Sequence, residues 1–198
     1  MKKVYFITSN EGKVKNAQTA LSKMGIEVVQ HPIDLIESRA HDPAVIALEK
    51  AEQAYAKLKK PVIVEDSGFF IRALNGFPRT YIKFSLETVG VKNIVKMLEG
   101  VKDRHCEWRM TLAYVWGKNQ HKSFTFIEEG EIAAELREPK RKMMSDYWRI
   151  YIPNMVNGNE KTLCELKDGD FEELDQVYAK NNQFAQFGRW YLKNRVKK

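Results

Sequence analysis

The chain has 198 residues, 43% hydrophobic and 30% charged, enough to bury one core in a single globular domain or in two lobes that share it. No repeat, low-complexity tract or apolar run of membrane-spanning length interrupts it, and Met1-Lys2-Lys3 leads into a strand pattern rather than a signal peptide, which disfavours membrane and secreted classes. A net charge of +7 favours an anionic partner without separating nucleic acid, nucleotide and a solvated basic face, and the only cysteines, Cys106 and Cys164, lack metal-ligand spacing and fit a cytoplasmic chain with reduced thiols.

Residues 3–8 (Lys-Val-Tyr-Phe-Ile-Thr) read as a first buried strand, and Val14, Ala17, Ala20, Leu21 and Met24 then recur at helical spacing. The turn between them, Ser9-Asn10-Glu11-Gly12-Lys13, points backbone N–H groups and a helix's positive end at one spot, which suits phosphate, and Lys13 adds a full charge. With one glycine the signal is weaker than a P-loop, and an ordinary strand-to-helix turn would look similar. Residues 26–29 predict a second strand and 34–37 (Asp-Leu-Ile-Glu) the loop after it. A long helix is predicted over 43–58, with Pro43 in its first turn and Asp42 as N-cap. Lys50 falls beside its buried stripe, where a solvated lysine is the default.

The run at 62–70, Val-Ile-Val-Glu-Asp-Ser-Gly-Phe-Phe, predicts a short buried strand bounded by Pro61 and Gly68 that ends in two carboxylates, Glu65 and Asp66. A strand ending in acids delivers them to the carboxyl edge of a sheet, where open α/β sheets bind ligands; a solvated turn is the bland alternative. Residues 73–78 form an Asn-Gly turn, and 81–84 and 94–98 belong to short helices. Residues 107–116 and 122–127 predict a hairpin, with a further strand at 131–136. An α/β body carrying an antiparallel extension follows from this order. A short strand is predicted at 147–153, a loop containing Asn154, Asn157, Gly158 and Asn159 after it, and a last helix over 174–196. The aromatic stripe of that helix, Tyr178, Phe184, Phe187 and Tyr191, reads as core before it reads as a base-stacking platform.

Together these pieces resemble the inosine triphosphate pyrophosphatase family, which is similar in fold to the Maf-like nucleotide pyrophosphatases. Four stretches carry the likeness over nearly the whole chain. They are Phe6-Ile7-Thr8-Ser9-Asn10-Glu11-Gly12-Lys13; Asp34-Leu35-Ile36-Glu37 with Ala47-Leu48-Glu49-Lys50-Ala51; Val64-Glu65-Asp66-Ser67-Gly68 through Gly76-Phe77-Pro78 and Tyr81-Ile82-Lys83; and Ile152-Pro153 through Lys161-Thr162 and Glu165-Leu166. Each is weak alone and the set is specific.

The resemblance implies an α/β fold of two lobes around a long cleft, with a central mixed sheet flanked by helices and an antiparallel β extension. It also implies a homodimer that cleaves a nucleoside triphosphate to monophosphate and pyrophosphate with Mg2+. On that likeness Thr8, Ser9, Asn10 and Lys13 form a phosphate turn, Glu37 and Asp66 hold the metal, and Asp66 is also the general base for the attacking water. Glu65 and Lys13 join Asp66 as catalytic candidates, Ser67 lies beside the acids, and Lys50, Lys83 and Lys180 contact the triphosphate. Elementary chemistry agrees: magnesium needs one or two carboxylates plus substrate phosphates, and cations neutralise charge developing on phosphoryl oxygens.

Departures concentrate where the family reads the base. A Gly-aromatic-Asp-Pro run becomes Ser145-Asp146-Tyr147-Trp148-Arg149, which keeps an aromatic at Tyr147 and puts Trp148 where the acid belongs. A Ser-His-Arg-Gly run becomes Ala185-Gln186-Phe187-Gly188, Arg79 replaces the glycine expected after Pro78, and Val45 and Asn16 replace common acids. Exchanging hydrogen-bonding groups changes which substrate a site accepts. The expectation is therefore a pyrophosphatase of altered base preference, with Tyr147, Trp148, Gln186 and Phe187 at the base end. Asp146 stands in for the missing acid, and Arg79 or Arg149 for the missing guanidinium. A nucleotide-binding regulatory paralogue with little catalysis is the alternative. Nucleic-acid binding is disfavoured, because the basic residues are spread over the chain without a reading module.

Overall fold

The computed structural model describes residues 2–154 and 160–195. Strands β1 (Lys2–Phe6), β2 (Ile26–Gln30), β3 (Val62–Ile71), β4 (Pro78–Arg79), β5 (His105–Gly117), β6 (Gln120–Ile132) and β7 (Tyr151–Pro153) form one sheet in the order β2-β1-β3-β5-β6-β7, with β4 on β3. The sheet is mixed: β1 runs parallel to β2 and β3, whereas β4 is antiparallel to β3 and β7 to β6. Its helices are α1 (Glu11–Leu21), α2 (Pro43–Leu58), α3 (Ile82–Thr88), α4 (Gly90–Met97), α5 (Asp168–Asn181) and α6 (Gln183–Arg195). The expected α/β class with a mixed sheet is what forms. No helix of the described residues is long and apolar enough to cross a membrane.

Two compact units make up the chain, the first Met1–Ser67, Met110–Phe126 and Val177–Lys198, the second Gly68–Arg109 and Ile127–Gln176. Strand alternation governs the first. Val62 and Val64 of β3 pack with Ala47, Ala51 and Ala54 of α2, whose small side chains let the helix lie close to the sheet. Ile63, between them, packs on the other face with Leu21 of α1 and with Phe184 and Phe187 of α6. Gly188 lies where α6 meets α1, and a Cβ there would stand 2.4 Å from Met24 Sδ and 2.9 Å from Leu21 Cδ2, so those side chains would have to shift. The α2 helix begins as predicted: Pro43 is its first residue and Asp42 Oδ1 accepts the Ala44 N–H at 2.8 Å.

An aromatic cluster forms the core of the second unit. Phe69 lies 4.7 Å between ring centroids from both Trp108 and Tyr147, and 5.8 Å from Tyr151. The Asn75-Gly76 turn forms with both residues at positive φ, 54° and 84°. One acid, Glu128, is buried here with its Oε1 lacking a hydrogen-bond partner, while the Tyr151 hydroxyl donates to the backbone carbonyls of Glu128 and Glu129.

Several boundaries differ from the sequence reading. The central strand does not end at the acids but runs on to Ile71. Gly68 is no terminator: a Cβ there would lie 2.7 Å from Phe70 Cε2 and 3.0 Å from the Arg79 carbonyl, so close packing against β4 demands glycine inside the strand. The strand expected at 131–136 is only the end of β6, which stops at Ile132. Tyr147 and Trp148 lie in a turn of 3₁₀ helix, Asp146–Arg149, capped by the Ser145 hydroxyl, and only Tyr151–Pro153 is strand. The single last helix is two, because Asn182 accepts the Ala185 N–H through Oδ1 at 2.9 Å and so caps a new start. Asn157, Gly158 and Asn159, and the helix end expected at Val196, lie outside the described residues.

Burial pushes the Glu128 carboxyl from its ordinary 4.5 up to about 8, against a small opposing effect of the Tyr151 hydroxyl. The folded chain thus keeps a proton that the unfolded chain releases, so its stabilising effect is complete below pH 4.5 and is lost as pH rises to about 8. Glu128→Gln is therefore expected to melt with wild type near pH 4.5 and above it near pH 8, the gap opening by up to about 1.4 kcal/mol per pH unit. Thermal unfolding at the two pH values checks this, and an equal offset at both would contradict it.

Candidate functional site

In the first unit the chain leaves β1 through Ile7, whose N–H still pairs with the Ile63 carbonyl at 3.0 Å, and turns into α1. The turn is pinned from within. Thr8 Oγ1 accepts the Asn10 N–H and Asn10 Oδ1 accepts the Lys13 N–H, each at 3.1 Å, so Asn10 is the N-cap of α1. Gln30 Nε2 donates to the Thr8 carbonyl at 3.1 Å and holds the turn from β2.

Because Glu65 and Asp66 are neighbours in a continuing strand, they leave β3 on opposite faces. Glu65 follows Ile63 onto the α1 side, where its Oε2 meets Lys13 Nζ at 2.8 Å and its carbonyl accepts from the same Nζ at 3.2 Å. Its side chain is 4% exposed. Burial lowers the Lys13 pKa, but the charges of Glu65, Asp66 and Glu37 outweigh that and leave it raised, so this lysine is cationic throughout the neutral range.

Asp66 follows Val62 and Val64 onto the α2 side. Its Oδ1 accepts the Ser67 N–H at 2.8 Å, which fixes the carboxylate, and its Oδ2 lies 3.2 Å from Lys50 Nζ. The same ammonium lies 2.8 Å from Glu37 Oε2. Two carboxylates from distant segments thus converge on one cation. Glu37 is brought there by a clamp that sequence reasoning missed: Gln53 makes two bonds to the Ile36 backbone, 2.9 and 2.8 Å, and Lys57 Nζ donates to the Asp34 carbonyl at 2.7 Å. Lys50, Gln53 and Lys57 share one helical face, a spacing that was readable in advance although its loop partner was not. A cavity of about 290 Å³ is lined by Thr8, Ser9, Asn10, Lys13, Glu37, Lys50 and Glu65, among others.

The remaining candidates of the first unit make other contacts. Lys180 is exposed on α5, its carbonyl accepting from Arg189 Nη1. Gln186 Nε2 is engaged by the Thr125 and Asn181 carbonyls, both at 3.2 Å. Phe187, expected to bind substrate, is a core residue with no exposed surface, packed on Tyr114, Phe124 and Tyr191. In the second unit Lys83 is exposed and pairs with Glu87, 3.8 Å away. Tyr147, expected at the base end, is also fully buried there, its hydroxyl 2.8 Å from that of Ser85, so neither ring offers a base a face. Trp148 packs on Phe171 with ring centroids 5.5 Å apart. Arg79 Nη2 donates to the Asn75 carbonyl and Arg149 Nη2 to Glu138, so each guanidinium already has a protein acceptor.

A family model described as the Ham1 family matches residues 4–185 of the sequence. The chain belongs to the Ham1 family. It is similar to a dITP/XTP pyrophosphatase of Methanopyrus kandleri, 35% identical over 192 residues that make up 97% of both chains. A dITP/XTP pyrophosphatase of Methanosarcina mazei is 36% identical across 97% of this chain and 98% of its own. The fold matches a HAM1 protein from Coxiella burnetii with a TM-score of 0.78, at 21% identity over 98% of this chain and 100% of that one. The likeness to the inosine triphosphate pyrophosphatase family read from the motifs is borne out. Within a Ham1 fold the two adjacent acids of β3 therefore answer to different helices.

Lys13 is the counter-charge of a buried carboxylate, and removing one partner of such a pair strands the other. Lys13→Met is expected to lower stability by roughly 2–4 kcal/mol, and adding Glu65→Gln to restore most of it. Denaturant unfolding of the two single variants and the double variant measures the coupling; additive losses would contradict it.

Proposed function

We propose that this Ham1-family chain hydrolyses a nucleoside triphosphate to the monophosphate and pyrophosphate. The observation that carries the reading is the convergence of Glu37 and Asp66 on the Lys50 ammonium beside the Thr8 to Lys13 turn. The donor set fits a hard divalent ion, since two carboxylate oxygens already meet around one positive charge, and magnesium asks for one or two carboxylates with phosphate oxygens beside them. Glu37 and Asp66 are the residues that would hold Mg2+, which when bound supplies charge neutralisation to the phosphoryl oxygens.

The chain's own groups account for the rest. The capped turn and the start of α1 present a positive helix end to a phosphate, and Lys13 adds a fixed charge, held in place by Glu65 as a positioning residue. Lys50 can turn from the carboxylates to the triphosphate once a cation takes its place. With one Asp66 oxygen tied to the Ser67 N–H, the other is oriented to accept a proton from an attacking water.

The names of the relatives make a deaminated purine the first candidate base. An altered preference is supported by the exchanged residues: Gln186 spends its amide on main-chain carbonyls, and Phe187 lies in the core where the family pattern has a guanidinium. The family resemblance also carries the reading of a cytoplasmic homodimer, which light scattering on the purified chain checks for its oligomeric part.

Pyrophosphate release from a panel of ribo- and deoxyribonucleoside triphosphates with Mg2+ tests the reading. Turnover is expected with at least one nucleotide, abolished by chelation and restored by Mg2+, with Asp66→Asn slower by at least ~10²-fold. No turnover on any nucleotide, or an Asp66→Asn variant equal to wild type, would overturn the enzyme reading in favour of a nucleotide-binding paralogue. Inosine triphosphate far ahead of every other substrate would refute the altered preference alone.

A further inference from the structure

A second cavity, about 320 Å³, lies wholly in the second unit, with Phe70, Arg72, Asn75, His105, Glu107 and Arg109 in its wall. The Thr111 and Thr125 hydroxyls are 2.9 Å apart across the β5–β6 hairpin, and the Ile132 N–H donates to the Arg104 carbonyl at 2.8 Å. Both contacts give the same register, which sets Glu107 opposite Glu129. His105, two residues before Glu107, shares its face. The ligating atoms of these three side chains all lie within 4.8 Å of one another.

Two carboxylates directly opposed on neighbouring strands repel, and that arrangement costs stability unless a cation answers both. Arg109 answers only in part. Its Nε donates to Glu107 Oε1 at 2.6 Å and its Nη2 closes on the same oxygen, while the guanidinium rests 4.1 Å above the Phe70 ring. The start of β5 is fixed as well: the His105 N–H donates to Asp103 Oδ1 at 3.1 Å, and Arg72 grips both oxygens of Asp103 at 2.6 and 2.8 Å.

We propose that His105, Glu107 and Glu129 form a binding site for a borderline divalent cation of the Zn2+ class. One imidazole with two carboxylates suits such an ion better than magnesium, whose ligands are oxygens. Zinc bonds of about 2.0–2.2 Å in a tetrahedral site put ligand atoms ~3.3–3.6 Å apart, so side-chain adjustments of about 1 Å bring the three atoms, within 4.8 Å of one another, to ligand spacing. Arg109, anchored on Phe70, orients Glu107 from outside as an outer-sphere partner does. Three protein ligands would leave a coordination position for water. None of the three residues belongs to the Glu37, Lys50 and Asp66 cluster, and the inference stands whether or not the chain hydrolyses nucleotides.

Equilibrium dialysis of the full chain against micromolar Zn2+, followed by metal analysis, tests the site. Wild type and Asp66→Asn are expected to retain the same ion, and Glu129→Gln and His105→Ala to bind it at least ~10- to 100-fold more weakly. Co2+ in place of Zn2+ is expected to give visible absorption bands that His105→Ala removes. Unchanged Zn2+ uptake in Glu129→Gln, loss of the ion in Asp66→Asn, or a Co2+ spectrum insensitive to His105→Ala would overturn the proposal. Glu129 is exposed, so Glu129→Gln carries the test if His105→Ala does not fold.

Discussion

The site of the first unit depends on one ammonium held between two carboxylates. Lys50 sits one helical turn from Ala47 and Ala54, whose small side chains press α2 onto the sheet, and from there its amine meets Glu37 and Asp66 at once. Without a shared cation the two acids would repel each other at short range in a partly desolvated place. With it, both are aimed at one point. The Gln53 and Lys57 bonds to the preceding loop serve the same end, because they decide where Glu37 stands.

Strand alternation then separates the roles of the adjacent acids. Had β3 stopped at Glu65, the two carboxylates would have shared one loop and one environment. A strand continuing to Ile71 sends Glu65 toward α1 and Asp66 toward α2. The first is buried and matched by Lys13; the second remains partly open beside Lys50 and Ser67. Two acids that look equivalent in sequence thereby become a structural anchor for a cation and a group able to meet a ligand.

Local chemistry made the bounds of α2, the capped turn before α1 and the Asn75-Gly76 turn legible, because caps, proline and positive φ leave marks within a few residues. The motif set carried the family and the α/β class. What failed to show was non-local. Gly68 read as a stop because its need for close packing arises from β4, and Asn182 inside an aromatic stripe hid a helix start. Tyr147 and Phe187 could not be sorted from base-stacking rings by spacing, since burial among Phe69, Tyr114 and Phe124 is a tertiary fact. The Glu107 and Glu129 opposition likewise exists only once the hairpin register is known.

The most direct test of this division is the magnesium affinity of the complex with a non-hydrolysable nucleoside triphosphate analogue, measured by calorimetric titration for Glu65→Gln and Asp66→Asn. The account predicts weakening of at least ~10-fold in Asp66→Asn and an affinity in Glu65→Gln close to wild type. Equal weakening in both variants, or none in Asp66→Asn, would contradict it.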